Sequence, residues 1–203
     1  MNLITDTGLC QLMKPIIKRN KSIIEYHYNV KVYRNGIVIH PGQLWTANHH
    51  MILDVLFDYR YRNNTSIFTF SDLRKKYPFL TPFKNFQIVK YLNDISSLDF
   101  YILRNNRVEH KLLSFKILTK KEVEYDLLPI RHKSKIPSEL YNLKDYSQFL
   151  FRKYCTYYIS KPAFISDKMI VEFLNLSRPD RVVQYKNEIR SIEMCKLIHF
   201  LDD

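Results

Sequence analysis

Between residues 22 and 39 apolar and polar side chains alternate. Ile24, Tyr26, Tyr28, Val30 and Val32 share one face at period two, the spacing of a half-buried strand. Arg34-Asn35-Gly36 interrupts the alternation, and Asn-Gly accepts the positive φ of a tight hairpin turn. Ile37 and Ile39 start the return strand, which Pro41-Gly42 closes. The period then changes. From His49 to Arg60, the residues Met51, Ile52, Val55, Leu56 and Tyr59 recur at helical spacing, with Thr46 or Asn48 as N-cap and Asn63-Asn64-Thr65 as the end. Ser71 is placed to cap a short helix, SDLRKKY, that stops before Pro78. After Leu80-Thr81-Pro82, a third helix runs from Lys84 to Ser96 with Phe86, Val89, Leu92 and Ile95 facing inward. Two strands follow, Asp99 to Leu103 and Lys111 to Leu118, joined through Arg104-Asn105-Asn106-Arg107.

Helix, short helix, turn, helix, β-hairpin is the order of a winged helix-turn-helix. In that arrangement the third helix enters a major groove and the hairpin touches the neighbouring backbone. Lys120 to Ile130 reads as a further strand, returning toward the N-terminal sheet. Arg131 to Pro137 is polar and basic and marks a boundary, which gives an N-terminal domain of residues 1–136 and a C-terminal unit of residues 137–203. In the second unit, Asp145 to Ile159 has the helical pattern. Ser166 caps DKMIVEFLNL, Ser177 to Asp180 forms a turn, and a long helix is expected over Arg181 to Leu201. The expected fold class is therefore α+β: tandem winged helix-turn-helix units, the second lacking a complete wing, because the chain stops where that wing would begin.

Charge gives this architecture a partner. The formal net charge is +12, and most of it lies in the first part of the chain: 22 Lys and Arg against 12 Asp and Glu up to Leu140, then 10 against 8. A basic surplus points to a polyanion. The 15 Tyr and 13 Phe argue against disorder, and only 3 Gly argue against a glycine-rich phosphate cradle. Cys10, Cys155 and Cys195 are scattered and odd in number, which suits a reducing compartment rather than a disulfide framework. No stretch approaches a membrane span, so a cytoplasmic protein without membrane partners is expected.

Candidate DNA contacts fall in two sets. On the third helix, Lys84, Asn85, Gln87 and Lys90 are the polar positions, and Arg104 and Arg107 lie on the expected wing. On the last helix and the turn before it stand Arg178, Arg181, Gln184, Lys186, Asn187 and Arg190. Arg suits guanine edges and Asn or Gln suits adenine, while charge on a wing suits phosphate. His40, His49 and His50 lack ligand spacing, so neither a metal nor any other cofactor is expected. Asp54 and Asp58 share a helix face, and pairing with Arg60 or Arg62 is expected of them. No nucleophile motif, Walker A loop or dinucleotide fingerprint is present, and no catalytic residue is assigned.

The second unit resembles the C-terminal winged-helix domain of plasmid replication initiators. Ser147, Arg152 and Tyr154 match that family's first helix, Phe173-Leu174-Asn175-Leu176 its second element, and Tyr185-Lys186-Asn187-Glu188-Ile189 its third. Leu44 to Leu56 is similar, more loosely, to the pattern opening the family's N-terminal winged helix. The resemblance implies binding to repeated origin sequences, a homodimer, and host replication proteins as further partners. Three alternatives stand beside it. The first is a transcriptional regulator of the same architecture. The second is a non-catalytic protein-interaction module with a winged-helix fold. The third is an RNA-binding protein stacking bases on the aromatic-rich strands.

Overall fold

The computed structural model describes residues 1–6, 30–34, 37–39, 46–97, 99–102, 108–130, 133–143, 163–174, 181–190 and 198–201. The chain is a mixed α+β protein of helices and small sheets, nearly all antiparallel. Helix α1 (Ala47–Asn63) begins where Thr46 is extended and the His49 ring folds back, its Nδ1 accepting the Thr46 backbone N–H at 2.9 Å. It ends where Asn64 takes the left-handed conformation at φ 49°, donating its N–H to the Arg60 carbonyl. Asn is one of the few residues with a side chain that accept this geometry. The expected helix is therefore present, but it buries more than one stripe. Every residue from His49 to Asp58 is buried. Strand β1 (Asn2–Asp6) packs on one side of α1, and helix α3 (Asn85–Ser96) on another. β1 pairs antiparallel with β9 (Lys133–Pro137), Leu3 opposite Ile136, so a segment distant in sequence joins the strand that packs on this helix.

After α1 come strand β4 (Ile67–Thr69), helix α2 (Phe70–Lys76), a 3-10 turn at Pro78–Leu80, and α3. The cap of α2 is Thr69, not Ser71: its hydroxyl accepts the Asp72 N–H at 3.1 Å and donates to the Asp72 carboxylate at 2.7 Å. The cap lies two residues before the expected serine, and the helix so begins with Phe70, which is buried in the core. α3 turns Ile88, Leu92 and Ile95 inward. Phe86, expected inside, is instead 66% exposed. Ile88 is four residues before Leu92 and seven before Ile95, so it shares their face, whereas Phe86 lies about 200° from Ile88 around the helix. The aliphatic face packs against α1 and strand β7 (Leu113–Ile117).

The hairpin differs from the expected one. Strand β5 (Asp99–Ile102) does pair with β6 (Val108–Lys111), but the stretch from Lys111 to Leu118 breaks at the buried Leu112. β7 leaves that pair and joins β8 (Glu122–Leu127) instead. β8 in turn pairs with β4, giving the order β4-β8-β7, so it does not return to the N-terminal sheet. The reason is burial. Val123, Tyr125 and Leu127 point inward at period two and join Phe68, Phe70 and Leu73 in the core. β5 and β6 belong to a separate sheet, ordered β3-β2-β5-β6, with β2 (Val30–Arg34) and β3 (Ile37–Ile39). Arg34 pairs with Ile37; the Asn35-Gly36 turn expected between them lies outside the described residues.

In the second unit, β10 (Ala163–Ser166) leads into α4 (Asp167–Leu174), as the Ser166 boundary predicts. The long last helix does not extend to Leu201. α5 covers Arg181–Arg190, and Ile198–Leu201 is strand β11, parallel to β10. Ile198, Phe200 and Leu201 thus continue a two-stranded ladder rather than a helix. The helix expected over Asp145 to Ile159, the loop with Arg104 and Arg107, and Arg178 lie outside the described residues. Among the described residues no helix is long and apolar enough to cross a membrane.

Candidate nucleic-acid interface

The presentation of α3 depends on Arg74, near the end of α2. Its guanidinium donates to the Phe83 carbonyl through Nε at 3.1 Å and Nη2 at 2.7 Å, to the Phe70 carbonyl at 3.3 Å, and to Asn85 Oδ1 at 2.6 Å. It also lies over the Phe70 ring. A planar fork of donors can span one turn in this way, tying α2 to the first residue of α3. Arg74 was not among the residues singled out from the sequence. Its position, followed by Lys75 and Lys76, gives the appearance of a solvated basic helix end.

This clamp alters the expected set. Asn85 has its oxygen engaged by Arg74, and Gln87 Oε1 accepts the Lys84 backbone N–H at 2.8 Å. Both side chains are half-buried and serve the helix start. Lys84 and Lys90 are exposed. Phe86, Lys90 and Asn93 are all exposed and follow the i, i+4, i+7 spacing, so they form one outward row along α3. Asn93 and Phe86 were not predicted as contacts. Asn93 was hidden by its distance from the helix start, and Phe86 by its hydrophobicity.

Beside α3 runs the β7–β8 hairpin. Its turn is closed by reciprocal bonds between Thr119 and Glu122 at 3.3 Å, with the Thr119 hydroxyl accepting the Lys121 N–H at 3.2 Å. Lys120 and Lys121 are exposed at this tip, and Lys116 is exposed on β7. The outer face of β8 is acidic: Glu124 and Asp126 are exposed, and Asp126 pairs with Arg60 at 2.9 Å. Positive charge on this hairpin is therefore concentrated toward the tip.

His49 ties the same helix to α1. Its Nε2 lies 3.1 Å from Asp94 Oδ2, and its ring meets Tyr91 edge-on at 4.8 Å. Because Nδ1 accepts from the Thr46 backbone, the proton sits on Nε2 and is donated to Asp94. Burial holds its pKa below the ordinary 6.5, outweighing the pull of Asp94. A neutral form favoured in the fold is lost on acidification, since the unfolded chain takes up the proton first. Stability from His49 is expected to be full above about pH 6.5 and to fall below it. Denaturant titrations of the wild type and His49→Gln check this, since Gln can still accept from the cap but does not titrate. Equal pH slopes for the two proteins below pH 6.5 would contradict it.

In the second unit the expected contacts separate. Arg181, Gln184, Asn187 and Arg190 are exposed on α5, and Gln184 Nε2 lies 3.4 Å from Glu188 Oε1. Lys186 is 4% exposed and paired with Asp167 at the start of α4. It lies on the face of Val182 and Tyr185, both buried. A buried ammonium needs such a carboxylate, so Lys186 joins helices rather than facing a ligand. No protein-family model and no curated protein matches the chain. What the site can do therefore rests on its own geometry. Among the described residues, no group of three or more His, Cys, Asp or Glu is placed to hold a metal ion.

Proposed function

We propose that residues 46–127 act as a winged helix-turn-helix that binds double-stranded DNA, α3 entering the major groove and the Leu118–Lys121 turn meeting the flanking phosphates. The observation that carries this reading is the exposed row Phe86, Lys90 and Asn93 on α3, which packs on β7 of a hairpin whose tip bears the exposed Lys120 and Lys121. The succession α1, β4, α2, α3 and the strand order β4-β8-β7 support it, with the β5–β6 pair of the other sheet inserted between α3 and β7. Base edges are read by the helix, and the tip supplies position and affinity without sequence information. Arg181, Gln184, Asn187 and Arg190 offer a second polar surface for the same duplex. The reading is one of binding, with no catalytic step.

Among DNA-binding roles we favour initiation of replication on a plasmid or mobile element. That choice rests on the sequence resemblance at Leu44 to Leu56 and Ser147 to Ile189; regulation of transcription by the same architecture is the alternative. A homodimer on repeated sites fits this role. β3 ends its sheet among the described residues, which leaves room for pairing across a two-fold axis. Light scattering at tens of micromolar, with and without DNA, should give twice the chain mass; a monomer under both conditions would refute the dimer.

DNA binding itself is tested by selecting sequences from random duplexes and titrating salt. Log affinity should fall linearly with log salt, by roughly 0.9 for each phosphate neutralised. Selected and random duplexes both unbound at about 50 mM salt would overturn the proposal.

A further inference from the structure

Phe86 stands out on the surface of α3. It is the most exposed of the large apolar side chains among the described residues, at 66%, yet it occupies the second position of α3, where Lys or Gln would serve solubility better. Its neighbours along the outward row are Lys90 and Asn93, and Lys84 stands exposed at the helix start. One ring in a polar, basic row is not the broad apolar patch that a protein partner would cover. Its position instead coincides with the part of a groove-binding helix that meets base edges, the N-terminal turns. Only one base presents an apolar group in the major groove. Thymine carries a C5-methyl, and a Phe ring is a suitable contact for it.

We infer that Phe86 is a specificity-determining residue that recognises the C5-methyl group of a thymine. This inference rests on the DNA-binding reading above. The same row gives it a geometric consequence. Asn93 is suited to adenine N6 and N7, and Lys90 to guanine O6 and N7. Seven residues of helix advance by about 10 Å. That is roughly three base-pair steps of 3.4 Å. A preferred site should therefore hold a thymine and an adenine about three steps apart, with guanine between them. The methyl also separates DNA from RNA, whose uracil lacks it.

The test uses the full chain and a duplex selected from a random pool. Each thymine is replaced in turn by uracil, which removes the methyl and leaves every hydrogen-bonding group. At one position the wild type should lose about fourfold in affinity, equivalent to about 0.8 kcal/mol for one buried methyl-sized group. Phe86→Ala should bind the thymine duplex as weakly as the wild type binds the uracil duplex, and should not distinguish the two. Phe86→Leu should recover part of the difference. Because the side chain is exposed, thermal unfolding of both variants should match the wild type, which separates a lost contact from a lost fold. Tight binding that is indifferent to uracil at every position overturns this inference alone. So does an equal uracil penalty in the wild type and Phe86→Ala. A protein that binds no duplex overturns both this inference and the reading beneath it.

Discussion

Replacing Asp58 by alanine is expected to lower the unfolding free energy by about 3–5 kcal/mol, the usual result of removing one partner from a buried charged network. The Asp58 side chain is fully buried in the middle of α1. Its carboxylate accepts the Ile4 backbone N–H at 2.8 Å, Arg62 Nε at 2.8 Å and 2.9 Å, and the Tyr77 hydroxyl at 2.8 Å. One side chain thus binds the N-terminal strand, its own helix and the end of α2. Burial, with help from the Asp58 carboxylate, pushes the Tyr77 hydroxyl far above its ordinary value, so it remains a donor at any working pH. Alanine leaves the Ile4 and Tyr77 donors without this acceptor, at about 1–3 kcal/mol for each buried group. Arg62 adds little, because its side chain is 41% exposed and can turn to water. A drop in melting temperature on the order of 10 °C should accompany the change. Asp58→Asn, which keeps one acceptor oxygen, should lose less. A loss below about 1 kcal/mol for the alanine variant would mean that β1 is not anchored through this residue.

The second large effect concerns affinity. Replacing Lys84, Lys120 and Lys121 together by alanine should weaken binding to selected and random duplexes alike by about 10²–10³-fold near 0.1 M salt, if each meets one phosphate. The plot of log affinity against log salt should flatten by roughly 2.7, since each contact contributes roughly 0.9. Selectivity between duplexes should persist, because phosphate contacts carry no sequence information. The three side chains are exposed, so the fold should withstand the change. An unchanged salt slope would remove the helix start and the hairpin tip from the interface.

The sequence expected Asp58 to pair with Arg60 or Arg62, and Arg62, four residues on, is the partner. It gave no hint of the other two bonds. Ile4 and Tyr77 are 54 and 19 residues away, and local spacing carries no information about such encounters. Asp54 repeats the pattern, accepting from Thr5 at 2.8 Å and from Tyr141 at 2.7 Å. Together the two carboxylates fasten β1, the end of α2 and Tyr141 to α1.

Local chemistry by itself determined where several elements begin and end. Thr46 and Asn64 bound α1, and Ser166 precedes α4, because caps depend on a few adjacent residues. Charge along the chain likewise makes a polyanionic partner the expectation. Tertiary structure alone decided which strands pair and which faces remain outside. Leu113–Ile117 had two alternating partners within reach, and only the burial of Val123 and Tyr125 beside Phe68 selected Glu122–Leu127. Phe86 joins Val89 at a spacing of three and Ile88 joins Leu92 at a spacing of four, and packing against α1 and β7 took the second row inward. Lys186 looked like a solvated cation until Asp167 came beside it on the neighbouring helix. In each case local propensity left near-equal alternatives, and contacts between distant segments separated them, because burial is a property of the assembled core.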